Sequence, residues 1–292
     1  MPTARWSATI SAPPISAWSR FSWRQNNTNW PRQPPKMPCA PTIVSERRST
    51  NSSPPSRPGE KSKYDPRPCG PVGETCASVT PPFETFDPLA ELPFLFHAFT
   101  LRTDAPTRDD NYEQRLAAAF GYEQWARAEQ THGNGVAFVT AAGAYPGVDA
   151  LVTTVVGLLL VIRCADCAPV FLVDRVRPAI ALVHSGKKGT LANVVGATVA
   201  AMPSHPSDLL AFIGPSIGPC HYDMDIWTPI EQQLRAAGVR EVYNPRQCTA
   251  CRLDRYFSYR AEKGRTGRLF ALLSLRQAPG DGRREPVPLP SR

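Results

Sequence analysis

The sequence predicts a mixed α/β domain: a single layered arrangement of mixed β-sheets flanked by helices, over residues 85–276, between two non-globular ends. Three observations carry this. Short apolar runs alternate with segments of helical spacing between Pro93 and Leu275, which is the pattern of packed α and β layers. Proline, at about twice its usual share of a chain, is concentrated outside that stretch: 14 of the 32 prolines fall within residues 1–80. No internal repeat and no apolar run of about 20 residues occurs, which excludes a membrane-spanning helix.

Residues 1–84 are read as a disordered Pro/Ser/Arg-rich segment, because such a composition buries too little surface to offset chain entropy. Four of the six tryptophans (Trp6, Trp18, Trp23 and Trp30) lie there, which is unusual for a tail. A translation start placed too early and a targeting peptide both fit that composition. A secretory signal does not, because its apolar core of about 7–15 residues is missing. Residues 277–292 are read as a second disordered tail.

Element by element, the spacing predicts a strand at Phe94–Leu101 (FLFHAFTL) and a helix at Asn111–Ala128, with Leu116, Phe120 and Trp125 in the core. A strand follows at Gly135–Thr140. Ala150–Ile162 (ALVTTVVGLLLVI) is too short to cross a bilayer, so it reads as two buried strands with a turn at Gly157. Strands at Val170–Val173 and Ala179–His184 flank a charged turn. Thr190–Met202 reads as a helix entered through a Gly-rich loop, Leu209–Ile213 as a strand and Trp227–Ala236 as a helix. Tyr256–Tyr259 reads as a strand and Gly267–Leu275 as a closing helix.

The net charge of +8 does not mark a nucleic-acid binder. Residues 1–60 hold eight Lys/Arg and two Asp/Glu, and residues 276–292 hold four and two. The part predicted to fold is therefore neutral, and it lacks the basic groove that nucleic acid requires.

Five histidines are present. Two of them, with one cysteine, stand at element ends beside small or turn residues, where functional groups collect. His132 lies in EQTHGNG, Cys167 in CADCAPVFLVD and His184 in AIALVHSGKKG. Two His and one Cys suit zinc, and three protein ligands leave a fourth position open, as in catalytic zinc sites. Zinc in such a site lowers the pKa of its water towards ~7. Asp166, beside Cys167, is a candidate acid/base, or else a turn carboxylate. Arg102, Lys188, Arg260 and Arg268 are candidate anion-holding cations, and Gly186–Thr190, opening a helix, could present backbone N–H groups.

Seven motifs, in order over residues 94–275, resemble those of the laccase-domain (YfiH-like) family, named multicopper polyphenol oxidase and later purine nucleoside phosphorylase. They are FHAFTLR, EQTHG, GVDALVT, CADCAPVFLVD, VHSGKKGT, FIGPSIGPCHYDMD and FSYRAEKGRTGR. The resemblance implies a cysteine-hydrolase-type α/β fold, with zinc held by His132, Cys167 and His184. It implies phosphorolysis of purine nucleosides, with adenosine deaminase and methylthioadenosine phosphorylase activities, in a cytoplasmic enzyme whose partners are purine nucleosides and phosphate. Lys187-Lys188 stand where the family has Trp-Arg. The charge survives there but the planar two-pronged donor does not.

Two further readings stay open: a polyphenol oxidase-type or hydrolytic activity with Cys167 as nucleophile and His184 as base, and a nucleoside-binding protein without catalysis. Copper is disfavoured, because a multicopper oxidase needs about ten His ligands and the chain has five. The Cys164/Cys167 and Cys248/Cys251 pairs are not expected to form a four-Cys site, since the first lies in an apolar strand. Cys220 and His221 are expected to pack structurally beside Tyr222, and His97 and His205 to be structural or exposed.

Overall fold

The computed structural model describes residues 81–103 and 111–276. In chain order the elements are β1 (Phe83–Glu84), α1 (Asp87–Ala90), β2 (Leu95–Thr100), α2 (Tyr112–Ala119), β3 (Trp125–Ala128), β4 (Val136–Phe138), β5 (Gly143–Tyr145), β6 (Ala150–Thr153) and β7 (Leu159–Cys164). They continue with β8 (Ala168–Asp174), β9 (Ile180–Ser185), α3 (Lys187–Leu191), α4 (Val194–Ala201), β10 (Leu209–Ile213), α5 (Trp227–Ala236), β11 (Glu241–Tyr243) and β12 (Leu269–Leu275).

Two six-stranded mixed sheets result, in the orders β1-β2-β12-β7-β3-β5 and β11-β10-β8-β9-β6-β4. The largest core cluster draws Phe99, Leu160, Ile162 and Leu273 from the first sheet and Leu151, Phe171, Leu182 and Phe212 from the second. A second cluster packs the second sheet against α4 and α5 through Val195, Val199, Trp227 and Ile230. A third packs α2 against the first sheet through Leu116, Phe270 and Leu272. The layered mixed α/β expectation is met.

Several local expectations are corrected. Gly267–Leu275 is not a helix: Leu269–Leu275 is a strand buried along its whole length between β2 and β7. A central strand with both faces covered shows a continuous apolar run and no period of two. The helix expected over Asn111–Ala128 stops at Ala119, and Trp125 opens a strand. Gly121 turns the chain there with φ +79°. The helix expected from Thr190 is two helices, broken at Asn193, which is left-handed (φ 57°) and accepts from Gly196 N–H with its side chain. Asn tolerates that conformation and caps the following helix. The strand expected at Tyr256–Tyr259 is irregular backbone.

Phe83–Glu84 lies inside the segment set apart as disordered, yet it pairs with Phe99 and Thr100. Glu84 accepts from Arg255 Nη2 (2.6 Å) and Tyr256 Oη (2.8 Å). Phe86 stacks on Phe212 at 4.2 Å in the core. The other residues read as tails lie outside the described residues. No helix among the described residues is long and apolar enough to cross a membrane.

Candidate metal centre

Register between strands builds this site. β8 and β9 are antiparallel with Ala168 opposite Ser185 and Pro169 opposite His184. That register sets Cys167, just before β8, against Gly186, just after β9. β6 runs antiparallel to β9 with Ala150 opposite Val183, so Asp149 falls beside His184. His184 N–H donates to the Asp149 carbonyl at 2.7 Å. His132 comes from the loop between β3 and β4.

The ligand atoms of His132, Cys167 and His184 lie within 4.8 Å of one another, and the two imidazole rings meet edge to face with centroids 4.9 Å apart. His184 is buried, Cys167 half-buried and His132 exposed.

Asp149, fully buried, organises all of this. Its Oδ1 accepts from His184 Nδ1 (2.8 Å) and His132 N–H (2.9 Å). Its Oδ2 accepts from Gly133 N–H (2.7 Å) and Thr131 Oγ1 (3.0 Å). The bond to Nδ1 leaves His184 Nε2 as the ligand atom, which is the carboxylate–histidine arrangement that orients metal ligands. The two backbone bonds hold His132 in a left-handed conformation (φ 62°). Sequence reasoning quoted GVDALVT but did not single out Asp149. Its signal was an acid directly before a wholly apolar strand.

Gly186 is required by space. A Cβ there would come to 2.7 Å from Cys167 Sγ and 3.3 Å from His132 Cδ2.

The electrostatics favour an ionised sulfur. Burial opposes the Cys167 thiolate, but His184 and then His132 outweigh it and bring its pKa down to about 6. Burial likewise opposes His184 protonation, but Cys167 and Asp149 outweigh it and raise its pKa to about 9. Asp149 is lowered: burial acts against this, and the hydrogen bonds from His184 and Gly133 override it. The thiolate is the form of Cys167 that ligates a metal, and a divalent cation would take the place of the proton on His184, which must be neutral to ligate.

The other residues singled out from the sequence are placed differently. Both oxygens of Asp166 are engaged, Oδ1 by Thr249 Oγ1 and Oδ2 by Arg260 N–H, each at 2.7 Å. Its carbonyl accepts from Ile217 N–H at 2.8 Å. This arrangement fits the turn-carboxylate reading better than the acid/base one. Arg102 pairs with Glu262 at 2.8 Å and lies over the Phe257 ring at 4.7 Å. It is committed to an ion pair and holds the 256–266 segment. Arg260 lies over Tyr222 at 4.7 Å, and Lys187 and Lys188 are exposed in α3. Arg268 donates to the Gly267 carbonyl at 2.9 Å. Cys164 is buried in β7 and is not one of the grouped ligands.

A layered α/β domain that gathers two His and one Cys in positions able to hold a metal ion is the class that fold and site define, and the comparisons narrow it. The chain belongs to the family described as multi-copper polyphenol oxidoreductase laccase, whose pattern it matches over residues 96–225 and 221–276. It is similar to purine nucleoside phosphorylase YlmD of Geobacillus stearothermophilus, 31% identical over an alignment of 242 positions that covers 66% of this chain and 87% of that one. A purine nucleoside phosphorylase of Deinococcus radiodurans is 31% identical over an alignment of 210 positions that covers 61% of this chain and 82% of that one. The crystal structure of YlmD from G. stearothermophilus superposes with a TM-score of 0.59 at 28% identity, covering 64% of this chain and 93% of its own.

Proposed function

We propose that this protein is a zinc-dependent purine nucleoside phosphorylase. Phosphate adds to C1′ of the ribose as the bond to the purine N9 breaks, giving ribose 1-phosphate and the free base. The observation that best supports this is the convergence of His132, Cys167 and His184 in front of Asp149, in a chain whose relatives carry that activity in their names.

The donor set fits zinc: a sulfur stabilised as thiolate, two imidazoles and a carboxylate that fixes one of them. Bound there, zinc supplies a Lewis acid with a coordination position left for substrate. The chain's own residues do the rest. Asp149 orients His184 and holds the His132 turn. Gly186 leaves room for the Cys167 sulfur. Lys188 and Arg260, exposed near the ends of the segments that meet at this centre, hold phosphate as the cationic side chains. Gly186 acts as a spacer, and Arg102 and Asp166 position the 256–266 segment and the Cys167 turn. Adenosine deamination and methylthioadenosine phosphorolysis belong to the same reading, since both place a purine nucleoside at this centre.

One observation favours a second reading. Cys167, His184 and Asp149 also form a nucleophile–base–orienting-acid series, which would act without metal. His132 separates the two, because a hydrolase of that design needs no second imidazole at the sulfur.

The test is a full-chain preparation assayed for metal, and for inosine and adenosine turnover with and without phosphate. Zinc retained by wild type, phosphate-dependent ribose 1-phosphate, and a loss of at least ~100-fold in metal affinity for His132→Ala are expected. A folded protein that is metal-free and inert towards every purine nucleoside would overturn the reading.

A further inference from the structure

A second group of metal-type ligands lies apart from the centre just described and takes no part in the proposed reaction. Cys220 and His221 follow β10 in an irregular loop, while Cys248 and Cys251 bracket a 3-10 turn at Thr249–Cys251. Their ligand atoms all lie within 4.8 Å of one another. His221 Nδ1 is 3.3 Å from Cys220 Sγ, 3.5 Å from Cys251 Sγ and 3.8 Å from Cys248 Sγ. Cys220 Sγ and Cys251 Sγ are 3.5 Å apart.

These separations can be set against a metal tetrahedron. With Zn–S near 2.3 Å and Zn–N near 2.0–2.1 Å, its edges are about 3.6 Å for N···S and about 3.8 Å for S···S. The observed values agree to a few tenths of an ångström. Cys248-x-x-Cys251 has the spacing of a zinc knuckle. Gly218 N–H donates to Cys248 Sγ at 3.3 Å, the kind of outer bond that steadies a ligating sulfur. The two segments are fixed to each other independently of any ion. Ser216 N–H donates to the Gln247 carbonyl (3.0 Å), and Thr249 N–H donates to the Ser216 carbonyl (3.1 Å).

We propose that Cys220, His221, Cys248 and Cys251 bind one zinc ion as a closed structural site, separate from the His132–Cys167–His184 centre. Four protein ligands leave no position for substrate, so the site stabilises and does not catalyse. Binding releases the three thiol protons as the sulfurs become ligands. Cys220 and Cys248 are free thiols, while Cys251 belongs to a disulfide that involves neither of them, so the zinc-loaded form is the one with Cys251 reduced. Two thiols of the glutathione class supply the two electrons and two protons that cleave the bond, becoming a disulfide themselves. Thr249, inside the knuckle, donates to Asp166, next to Cys167, at 2.7 Å.

The test is metal content of the full chain, grown with zinc and purified under a thiol reductant. Wild type is expected to hold two zinc ions per chain, and His132→Ala and Cys248→Ser one each. Since Cys248 is buried and its variant could misfold, His221→Ala, at an exposed ring, is the second variant. Loading cobalt(II) into His132→Ala gives a further readout: the strong near-ultraviolet sulfur-to-cobalt bands of a three-thiolate tetrahedral site, weakened in the His132→Ala/Cys220→Ser double variant, which removes one sulfur. A single zinc in wild type that His132→Ala removes entirely would overturn the proposal. So would iodoacetamide labelling of Cys220 and Cys248 at the same rate with and without zinc.

Discussion

Substituting Gly186 with alanine tests the geometry of the centre with one carbon atom. The backbone there has φ −91° and ψ −176°, extended values that any residue adopts, so alanine brings no conformational strain. Its Cβ would sit 2.7 Å from Cys167 Sγ and 3.3 Å from His132 Cδ2, where ordinary contact begins at 3.4 Å. The sulfur must retreat by about 0.7 Å, whereas metal–ligand distances tolerate only about 0.2 Å. Overpacking of this kind costs ~1–3 kcal/mol, and here it falls on the ligands and not on the core. The expected outcome is a ~10–100-fold loss of zinc affinity, with the thermal midpoint of the metal-free protein nearly unchanged. Competition against a chromophoric chelator measures the affinity, and circular dichroism follows the fold. Wild-type zinc affinity and nucleoside turnover in Gly186→Ala would refute the reasoning, because Cys167 would then not sit where a ligand must.

Two further outcomes follow from the same structure. Asp149→Asn keeps the shape but turns one acceptor into a donor among four donors. Zinc affinity is expected to fall ~10–100-fold, and the same competition assay, compared with Asp149→Ala, checks it. His97 supplies the pH dependence: burial, and then the Arg276 charge, lower its pKa from 6.5 to about 4, and its Nε2 accepts from Phe86 N–H at 2.8 Å. A depressed histidine pKa means the unfolded chain takes up the proton first. Stability is therefore complete above pH 6.5, falls as pH drops towards 4, and loses about 3 kcal/mol from this group. Denaturant unfolding of wild type and His97→Gln across that range should show the slope in wild type and a shallower one in the variant.

How much of this was legible in the sequence varies by element for physical reasons. Strands with turn residues at both ends, such as β4, β9 and β10, were placed closely because local chemistry bounds them. Leu269–Leu275 was misread because burial on both faces erases periodicity, and only its pairing with β2 and β7 decides the matter. At Asn193 the signal was present but local, since one left-handed residue splits an otherwise helical run. His132, Cys167 and His184 stood out as metal-type side chains at element ends. Asp149 did not, because its role depends on the β6–β9 register, which no spacing reveals. Cys220 and His221 were expected to pack beside Tyr222. Their approach to Cys248 and Cys251 depends on a single long-range bridge, Ser216 to Cys248.

The candidate centre grades from solvent to core. His184 is 3% exposed and rests on a fully buried carboxylate, while His132 stands in the open. An ion held there would lie between a solvent-facing imidazole and a buried one already aimed by its carboxylate. Both histidines would then set how tightly the ion is held, while the outer one, free to swing away, would act as the latch that sets how fast it leaves.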